Sequence, residues 1–371
     1  MMKNTNNTLI PDRSQPGLTR TAPTVRHRDV GDKYATGVPK SKKLRGRENI
    51  SVGTWNVRTL RPAGKLEQLT HAMGRYHWNI VGLCEMRWKN FGEMSTDDGH
   101  KVYFSGEEDR HEYGVGFLVH KDIASAVLGC RPVSSRLISI RLGAAPFNIT
   151  IIQVYAPTSG HDDSEVDHFY QQLQETIDQT PKKDILVVQG DWNAKVGKDA
   201  QADWGDVCGP YCNVETNERG LRLLEFATFN SLVLTNTLGP HKPSRRWTWH
   251  SPDGKHHNQI DYILVNKRFR SGVNIHRTRS FPGADIGSDH DLVMMTFRVR
   301  LKKARKPNQP RLRFDLEKLR DPDVACTFQA TIGGKFAPLI GLRDEDMDIN
   351  TMITTYNTAV IGAASEILGK E

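Results

Sequence analysis

The sequence "ILVVQGDWNAKVG" (Ile185–Gly197) contains a run of apolar residues that ends abruptly at Gly-Asp-Trp-Asn. A continuous apolar run bounded by glycine is typical of a strand buried on both faces, and polar groups beyond its carboxyl end project from a rigid platform. Asp191 and Asn193 lie two residues apart, so their side chains can point the same way. They could position a water or a metal ion, or they could be turn residues, because Asp and Asn are common where strands end. The stretch alone leaves both interpretations open.

The length and composition favour one large domain with flanking segments. A chain of 371 residues with 37% hydrophobic and 8% aromatic residues is long enough for a packed domain of roughly 250 residues. No apolar run approaches the roughly 18 residues that a membrane span requires, and the polar start "MMKNTNNTLIPDRS" lacks the apolar segment of a secretory signal. We therefore expect no membrane partner for this chain.

The five cysteines are odd in number and scattered along the chain, which favours reduced thiols in an intracellular compartment. Cys208 and Cys212 have a spacing that could form half of a zinc site. A structural zinc site needs four ligands, however, and the sequence offers no second cysteine pair. Two loop thiols are therefore the favoured interpretation of this pair.

The basic charge of the chain lies in two flanks. Residues 1–47 carry a net charge of +8 and residues 300–320 a net charge of +7, whereas the region between them carries −2 and residues 321–371 carry −5. The first flank has no hydrophobic period, so we expect residues 1–48 to form a disordered basic tail. Its basic end "KSKKLRGR" (Lys40–Arg47) suits attraction to a phosphate backbone or a nuclear import signal, and a solubilising tail is the alternative.

Between the flanks, predicted strands alternate with a few predicted helices. Two segments repeat apolar residues at three- and four-residue spacing, as on the inner face of a helix, and a third helix is predicted over residues 218–230. Many strands with few helices favour two sheets packed face to face with helices outside. The helical positions are Leu66, Leu69, Met73 and Tyr76, then Val166, Phe169, Leu173 and Ile177. The predicted strands are residues 49–59, 80–86, 114–120, 137–143, 147–157, 185–191, 232–236, 245–251, 259–265 and 291–301.

Polar residues recur where these strands begin or end. Each one taken singly has an ordinary explanation as a turn residue, a solvated charge, a rim aromatic or a structural histidine. Together they form a set that a site can use, because acids suit a hard cation, amides orient ligands, and a histidine can pair with an acid. The set is Asn56, Glu85, Tyr155, Asp191, Asn193, Asp261, Asp289 and His290.

These residues lie in six segments, which in chain order are "GTWNVRTL", "GLCEMRW", "VYAPTSG", "VVQGDWNAKVG", "QIDYILV" and "GSDHDLV". The series resembles the endonuclease/exonuclease/phosphatase superfamily, and within it the apurinic/apyrimidinic-type endonuclease domains of non-LTR retrotransposons. The resemblance covers residues 49–301. It implies a four-layered α/β sandwich, in which two mostly antiparallel β-sheets pack together and are flanked by helices.

The resemblance also implies a metal site. Glu85 would be the main ligand of a Mg²⁺ ion, with Asn56 and the carboxylate of Asp289 nearby, and Mn²⁺ is the alternative ion. Oxygen ligands of this kind are what a small hard cation prefers. Arg58 departs from the family pattern, because repair members have an acid there, so a contact to a second metal at that position is in doubt.

The remaining residues of the set would carry out phosphodiester hydrolysis. By the same resemblance, Asp191 orients or deprotonates the attacking water, and Asn193 holds the water and the phosphate. His290 contacts the scissile phosphate, while Asp261 fixes the tautomer of His290 and favours its protonated form. Tyr155 donates to a phosphate oxygen. Positioning and electrostatic stabilisation are what such a site must supply, since charge builds up on the phosphate oxygens.

The segment "RRWTWHS" offers a candidate DNA-binding surface. Arg245 and Arg246 flank Trp247 and Trp249, and such aromatics can stack on a base or enter a groove. The alternative is structural, with one tryptophan buried and the other covering the rim. Asp291 is a second departure from the family, because many relatives have an apolar residue or a cysteine after the "SDH" triplet.

Residues 302–371 are predicted to be a basic linker followed by a short helical segment, which includes "MITTYNTAVIGAASEIL" (Met352–Leu368). This part resembles the segment that precedes reverse transcriptase in the retrotransposons, and no polymerase domain follows it. The chain is therefore expected to be either a truncated element product or a host protein derived from one.

The sequence predicts a Mg²⁺-dependent endonuclease that nicks DNA to leave 3′-hydroxyl and 5′-phosphate ends. We expect DNA as the partner, a monomer, and a nuclear location. The alternatives are a phosphatase of the same superfamily and a chromatin-associated protein with weak catalysis or none. Glu85, Asp191 and His290 are all present, which disfavours a protein that has lost its catalysis.

Overall fold

The computed structural model describes residues 44–45, 49–213, 215–299, 313–337 and 349–369. The chain divides into two compact units, Met1–Leu301 and Lys302–Glu371. The strands are β1 (Leu44–Arg45), β2 (Ile50–Asn56), β3 (Ile80–Cys84), β4 (Phe91–Ser95), β5 (Lys101–Ser105), β6 (Val115–Val119), β7 (Val127–Ser134), β8 (Leu137–Leu142), β9 (Ala144–Ala145), β10 (Ile149–Tyr155), β11 (Ile185–Asp191), β12 (Leu232–Leu234), β13 (Trp249–His250), β14 (His257–Asn258), β15 (Asp261–Asn266), β16 (Arg279–Phe281) and β17 (Leu292–Phe297). The helices are α1 (Lys65–Met73), α2 (Asp163–Asp178), α3 (Gln201–Trp204), α4 (Glu218–Phe229), α5 (Pro322–Phe336) and α6 (Ile349–Ile367).

Two large sheets form the first unit. One is six-stranded, in the order β12-β15-β11-β10-β8-β7, and the other is seven-stranded, in the order β16-β17-β2-β3-β6-β5-β4. Each contains a single parallel pair, β10 with β11 and β2 with β3, and the other neighbours are antiparallel. The predicted antiparallel pairing of residues 137–143 with residues 147–157 is confirmed by β8 and β10.

The apolar runs of the sequence make the core between the sheets. Ile151 and Val187 from one sheet meet Val52 and Phe117 from the other in a shared cluster of buried residues. Both central strands β2 and β11 are buried along their whole length, as expected for strands covered on both faces. This burial fixes the ends of these strands as rigid positions.

Helices cover the outer faces of both sheets. Leu69 and Met73 of α1 pack against the seven-stranded sheet, and Leu173 of α2 and Leu223 of α4 pack against the six-stranded sheet. The order is therefore helix, sheet, sheet, helix. The predicted four-layered α/β sandwich of mostly antiparallel sheets is confirmed, and α2 and α4 are at the predicted positions. α1 is too, except that it ends at Met73, so Tyr76 lies beyond the helix on which it was predicted.

Polar side chains also cross the interface between the sheets. Nε2 of Gln153 donates to Oγ1 of Thr54 (2.8 Å), and Nε2 of Gln189 donates to the carbonyl oxygen of Gly53 (2.6 Å). Both glutamines are fully buried, so these bonds replace the water that their amides lose on folding. Because they join β10 and β11 to β2, they fix how the two sheets are aligned.

Some strands differ from the prediction. The predicted strand over residues 245–251 is reduced to Trp249–His250, which pairs with His257–Asn258 in a small separate hairpin. Strands β4, β5, β7 and β16 were not predicted. β4 lies at a sheet edge and is mostly exposed, so no apolar alternation marks it in the sequence.

Apart from Leu44–Arg45, the predicted basic tail (residues 1–48) lies outside the described residues. Leu44–Arg45 forms a short parallel strand with Ala144–Ala145, and the amide of Leu44 donates to the carbonyl oxygen of Gly143 (2.9 Å). In the second unit, most of the predicted linker is likewise outside the described residues. There, Lys335 of α5 forms an ion pair with Glu366 of α6 (2.7 Å), and Phe336 packs against Tyr356. Among the helices that the structure describes, none is long and apolar enough to span a membrane.

Candidate active site

Two central strands end, and a third begins, at one edge of the sandwich, and they bring polar residues together there. Asn56 is the last residue of β2, Asp191 is the last residue of β11, and Asp261 is the first residue of the antiparallel strand β15. Asp191 and Asp261 are direct partners in the β11–β15 pairing. All three side chains are buried, so their positions are fixed by the sheets rather than by mobile loops.

Asn56 connects the two sheets at this edge. Its Nδ2 atom donates to Oε1 of Glu85 (3.0 Å) and to Oδ2 of Asp191 (3.0 Å). Its Oδ1 atom accepts from the backbone amide of Arg58 (2.9 Å). The amide therefore holds two carboxylates from different sheets at a fixed separation.

Glu85 follows β3 directly and has a left-handed backbone, with φ of 52°. The Tyr155 hydroxyl donates to Oε1 of Glu85 (3.1 Å), and the Arg87 guanidinium forms an ion pair with Oε2 (2.8 Å). The Glu85 side chain is 17% exposed, so it is held by partners on both oxygens and still faces solvent. Burial and the nearby charge of Glu85 raise the pKa of Tyr155 well above its ordinary value, so the phenol remains a hydrogen-bond donor.

His290 lies between two buried carboxylates. Its Nδ1 atom is 3.0 Å from Oδ2 of Asp261, and its Nε2 atom is 3.7 Å from Oδ2 of Asp191. Burial lowers the pKa of His290. The charges of Asp261 and Asp191 and the hydrogen bond to Asp261 raise it by a larger amount, so the pKa is about 10. His290 is therefore protonated at neutral pH. Its Nδ1–H donates to Asp261, and its Nε2–H faces Asp191 beyond hydrogen-bond distance.

Asp191 and Asn193 form a turn at the end of β11. Oδ1 of Asp191 accepts from the backbone amide of Asn193 (3.0 Å), and Asn193 has a left-handed φ of 48°. Nδ2 of Asn193 donates to the carbonyl oxygen of Ala156 (2.8 Å). Burial and the charge of Asp261 raise the pKa of Asp191 to about 7, against the opposing effects of His290 and Asn56. A carboxylate with this pKa can both accept and release a proton near neutral pH.

Asp289 is positioned through its backbone. Its carbonyl oxygen accepts from the amide of His250 (2.9 Å), and its side chain is half-buried. The neighbouring Ser288 hydroxyl donates to the carbonyl oxygen of Asn56 (2.7 Å), which joins this segment to the end of β2. The Asp289 carboxylate thus lies one residue from His290 on a segment fixed to the rest of the site.

Comparison with known proteins places this geometry in a family. The model of the endonuclease/exonuclease/phosphatase family matches residues 53–290, which include all eight residues of the predicted site. The chain belongs to this family. The prediction made from the six sequence segments is confirmed, and the family is one of hydrolases that cleave phosphoester bonds.

Several proteins of known sequence or structure are similar to this chain. Craniofacial development protein 2 of Bos taurus is 43% identical over 264 residues, which are 71% of this chain and 43% of that protein. The chain therefore spans less than half the length of this relative. The catalytic domain of Xenopus laevis APE2 has a TM-score of 0.50 at 16% identity and covers 68% of this chain and 94% of its own, which concerns the fold alone. The endonuclease domain of TRAS1, a telomere-specific non-LTR retrotransposon, has a TM-score of 0.48 at 14% identity. The match covers 68% of this chain and 99% of that domain.

The donor set at this edge fits a divalent metal ion, as the family implies. Asn56, Glu85 and Asp289 offer only amide and carboxylate oxygens, and Glu85 retains access to solvent. A different grouping, in which Asp191, Asp261 and His290 place ligand atoms within 4.8 Å of one another, is buried. In this structure Nδ1 of His290 is hydrogen-bonded to Oδ2 of Asp261 (3.0 Å), so the three residues form a buried network of ion pairs.

The predicted DNA-binding residues do not all face the same surface. Trp247 lines a groove of 650 Å³, whereas Trp249 is joined through its backbone to His290 in an isolated antiparallel bridge. Arg246 also lines the groove, and its Nη1 atom donates to the carbonyl oxygen of Cys212 (3.1 Å). Arg245 is exposed. Both tryptophans are half-buried, so neither is the wholly buried residue of the structural alternative.

Cys208 and Cys212 are buried free thiols. The other three cysteines of the chain are free as well. In the described part of the chain, no set of three His, Cys, Asp or Glu ligands includes either of them. The interpretation as two loop thiols is therefore favoured by the structure.

Two arginines at the site were not singled out in the sequence. Arg87 pairs with Glu85, and Arg136 stacks over the Tyr113 ring, with its Cζ atom 3.9 Å from the ring centroid. Nη1 of Arg136 also donates to the carbonyl oxygen of Tyr155 (3.3 Å). Arg87 stands in the segment "GLCEMRW" two residues after Glu85, which is a signal that was available. Arg136 lies outside every quoted segment. It directly precedes β8, and the backbone amide of Tyr155 donates to its carbonyl oxygen (2.9 Å), which holds it at the site.

Proposed function

We propose that this protein is a Mg²⁺-dependent endonuclease that nicks DNA and leaves 3′-hydroxyl and 5′-phosphate ends. The observation that carries the proposal is the connection of Glu85, Asn56 and Asp191 by hydrogen bonds, with the protonated His290 beside Asp191. In this arrangement the Glu85 carboxylate can bind a metal ion, the Asp191 carboxylate can accept a proton from a water, and the His290 cation can bind a phosphate. Membership of the phosphoester hydrolase family supports the same reaction class.

The metal site in this proposal consists of Glu85, Asn56 and the Asp289 carboxylate. When bound there, Mg²⁺ or Mn²⁺ would neutralise charge that develops on the phosphate oxygens. The Arg87 guanidinium holds the Glu85 carboxylate in place, and the Tyr155 hydroxyl limits its rotation. Hard oxygen donors support Mg²⁺ over softer metals.

The other residues position the water and the phosphate. Asp191 accepts a proton from the attacking water, because its pKa of about 7 makes it a base at neutral pH. Asn193, held by Asp191 and Ala156, orients the water. The Tyr155 hydroxyl, which donates to Glu85 in this structure, would donate to a phosphate oxygen instead when DNA is bound. His290 donates to the phosphate from Nε2 while Asp261 holds its Nδ1–H. Each of these groups stabilises charge that increases in the transition state.

The choice of DNA as substrate is supported by the basic flanks and by the resemblance of the six sequence segments to retrotransposon endonucleases. The same resemblance supports an origin from such an element. The basic run Lys40–Arg47 supports a nuclear location, and a monomer is sufficient, since one chain supplies the whole site. Imaging of the tagged chain with and without this run tests the nuclear location.

A nicking assay tests the proposal. Purified protein is incubated with supercoiled plasmid and with labelled abasic duplex, in Mg²⁺ or in a chelator. We expect open-circular plasmid with Mg²⁺ and none with the chelator. Release of inorganic phosphate from 3′-phosphorylated DNA without any nicking would replace the endonuclease by a phosphatase, and no reaction on any substrate would contradict both.

A further inference from the structure

An array of three side chains, Asp291, His250 and His257, runs from the segment that carries His290 to the wall of the groove. Oδ2 of Asp291 lies 3.1 Å from Nε2 of His250, and Nδ1 of His250 lies 2.7 Å from Nδ1 of His257. The ring of His257 stacks on the indole of Trp247, with ring centroids 4.4 Å apart and an angle of 22° between the planes. None of these contacts is needed for the hydrolytic steps described above.

The bond to Asp291 sets the direction of the second hydrogen bond when His250 is neutral. Nε2 of His250 then carries the proton that the Asp291 carboxylate accepts, and its Nδ1 atom accepts from Nδ1 of His257. The plane of the His257 ring is then fixed by a hydrogen bond at its edge and by the indole on its face. The indole of Trp247 is held in turn by a ring that cannot rotate freely.

The backbone joins the same hairpin to the active site. The amide of His250 donates to the carbonyl oxygen of Asp289 (2.9 Å), and the amide of Asp291 donates to the carbonyl oxygen of Thr248 (2.8 Å). Oγ1 of Thr248 accepts from the backbone amide of Asp261 (3.1 Å). The position of Trp247 is therefore set relative to His290 and Asp261 rather than left to a free loop.

The groove beside Trp247 has features that suit one nucleotide of a DNA strand. Trp247 and His257 supply a ring surface, and Lys195, Lys198 and Arg246 supply positive charge for a phosphate. Its volume of 650 Å³ is large enough for a base with its sugar. Gln259 lines it as well, and Trp249, two residues after Trp247, pairs with His290 in an antiparallel bridge, so the groove lies on a segment joined to the one that carries His290.

We propose that Asp291, His250 and His257 are positioning residues, which hold Trp247 as the stacking surface for a base that flanks the scissile phosphate. This inference rests on the proposed function, because it takes DNA as the ligand. His290 is bonded through Nδ1 to Asp261 and not to Asp291, so the array acts on binding of the strand rather than on the hydrolytic step. Stacking of a base on an aromatic side chain is worth roughly 1–3 kcal/mol, which corresponds to about five- to 150-fold in affinity.

Binding of a short single-stranded oligonucleotide that contains 2-aminopurine tests this proposal. The full chain is titrated in the presence of a chelator, so that cleavage does not enter the measurement, and stacking on an indole is read as quenching. We expect His257→Ala to weaken binding about tenfold and to reduce the quenching. His256→Ala is the matched control, because His256 is the exposed neighbour in the same hairpin loop, and it is expected to bind like the wild type.

Two further variants separate positioning from a general loss of structure. Asp291→Asn retains an oxygen that accepts from His250 and is expected to bind like the wild type, whereas Asp291→Leu is expected to resemble His257→Ala. The double variant His257→Ala/Trp247→Ala should bind no more weakly than Trp247→Ala alone, because both changes remove the same contact.

The outcomes distinguish this inference from the proposed function. Equal binding by His257→Ala and His256→Ala, additive losses in the double variant, or the absence of quenching by the wild type would overturn the positioning role. If the wild type binds and quenches as expected but does not nick plasmid with Mg²⁺, the positioning role stands and the catalytic proposal fails. In an active enzyme, His257→Ala should raise KM for DNA and change kcat little, and a lowered kcat at unchanged KM would contradict the inference.

Discussion

Glu85 is the residue on which the proposed metal site depends most. Both of its oxygens have protein partners, yet the side chain retains contact with solvent. Glu85→Gln keeps the shape and removes the charge, so we expect nicking to fall by about 100-fold or more, with a higher Mg²⁺ requirement. Plasmid nicking across a Mg²⁺ titration measures this, and Glu93→Gln on the exposed edge strand β4 is the control. Turnover of Glu85→Gln equal to that of the control at low Mg²⁺ would exclude Glu85 as the main ligand.

The Asp261–His290 pair predicts a pH dependence. His290 has a pKa of about 10 in the folded protein, above the usual histidine value of about 6.5, so the protonated form is present at neutral pH and is lost as the pH rises through about 10. Asp261→Asn removes the carboxylate that contributes most to this increase. The alkaline limb of the rate profile should therefore move to lower pH, and turnover at neutral pH should fall.

The pair also predicts non-additive rate losses. His290→Ala should cost at least as much as Asp261→Asn, and the double variant should be scarcely slower than His290→Ala, because the two residues act as one unit. Single-turnover rates measure this, and melting curves of each variant check that the fold survives. An unaltered pH profile in Asp261→Asn, or strictly additive losses, would show that the two residues act independently.

The polar residues of the site could be predicted because they stand at strand ends in segments that resemble a known family. Asn56, Glu85 and Asp191 are hydrogen-bonded together in the structure, and their catalytic roles remain proposals. The array of His250, His257 and Asp291 could not be predicted. It depends on a short hairpin that places His250 opposite His257, and no sequence period specifies such a pairing.

At the scale of the elements, Gly190 determines how β11 delivers Asp191 to the site. Gly190 has φ of 153°, and a Cβ atom there would lie 1.9 Å from the carbonyl oxygen of Val154 on β10. Gly190→Ala should therefore lower the free energy of unfolding by roughly 1–3 kcal/mol, since the backbone of a central strand must move. Chemical denaturation measures this, with Gly129→Ala as the control, because open space surrounds Gly129. Equal stability of the two variants would contradict this account of β11.

The elements that the sequence predicted correctly are those with strong apolar patterns. β2, β3, β10 and β11 are buried along their whole length, and their apolar runs are visible in the sequence. β4 is an exposed edge strand, and no residue of β7 is fully buried, so neither strand shows an alternation of buried and exposed residues. The pairing of β4 and β7 depends on neighbouring strands rather than on their own residues, so the apolar pattern of the sequence does not predict them.

At the scale of the whole molecule, the basic tail predicts a salt effect. Residues 1–43 carry nine Lys and Arg and three Asp and Glu. Each phosphate that these residues neutralise releases counterions, so deletion of residues 1–43 should weaken DNA binding and flatten its dependence on salt, with little change in the single-turnover rate. This deletion keeps Leu44–Arg45, which pairs with β9.

Anisotropy titrations over a range of salt concentrations measure this effect. A variant with Lys40, Lys42 and Lys43 replaced by glutamine serves as a control with an unchanged chain length, and it should show part of the same change in slope. An unchanged salt slope after the deletion would mean that the tail does not contact DNA, and would leave nuclear import as its interpretation.

In the function that we propose, the eight residues at the sandwich edge hydrolyse a DNA phosphodiester with a divalent metal ion. The ends of the nick test this most directly. Plasmid nicked by the protein in Mg²⁺ is treated with DNA ligase without any repair of its ends, and Glu85→Gln and a chelator serve as controls. We predict that ligase reseals the nicks, because hydrolysis leaves a 3′-hydroxyl and a 5′-phosphate, and that neither control produces nicks above background. Nicks that resist ligase, or nicking of equal extent by Glu85→Gln, would contradict the account.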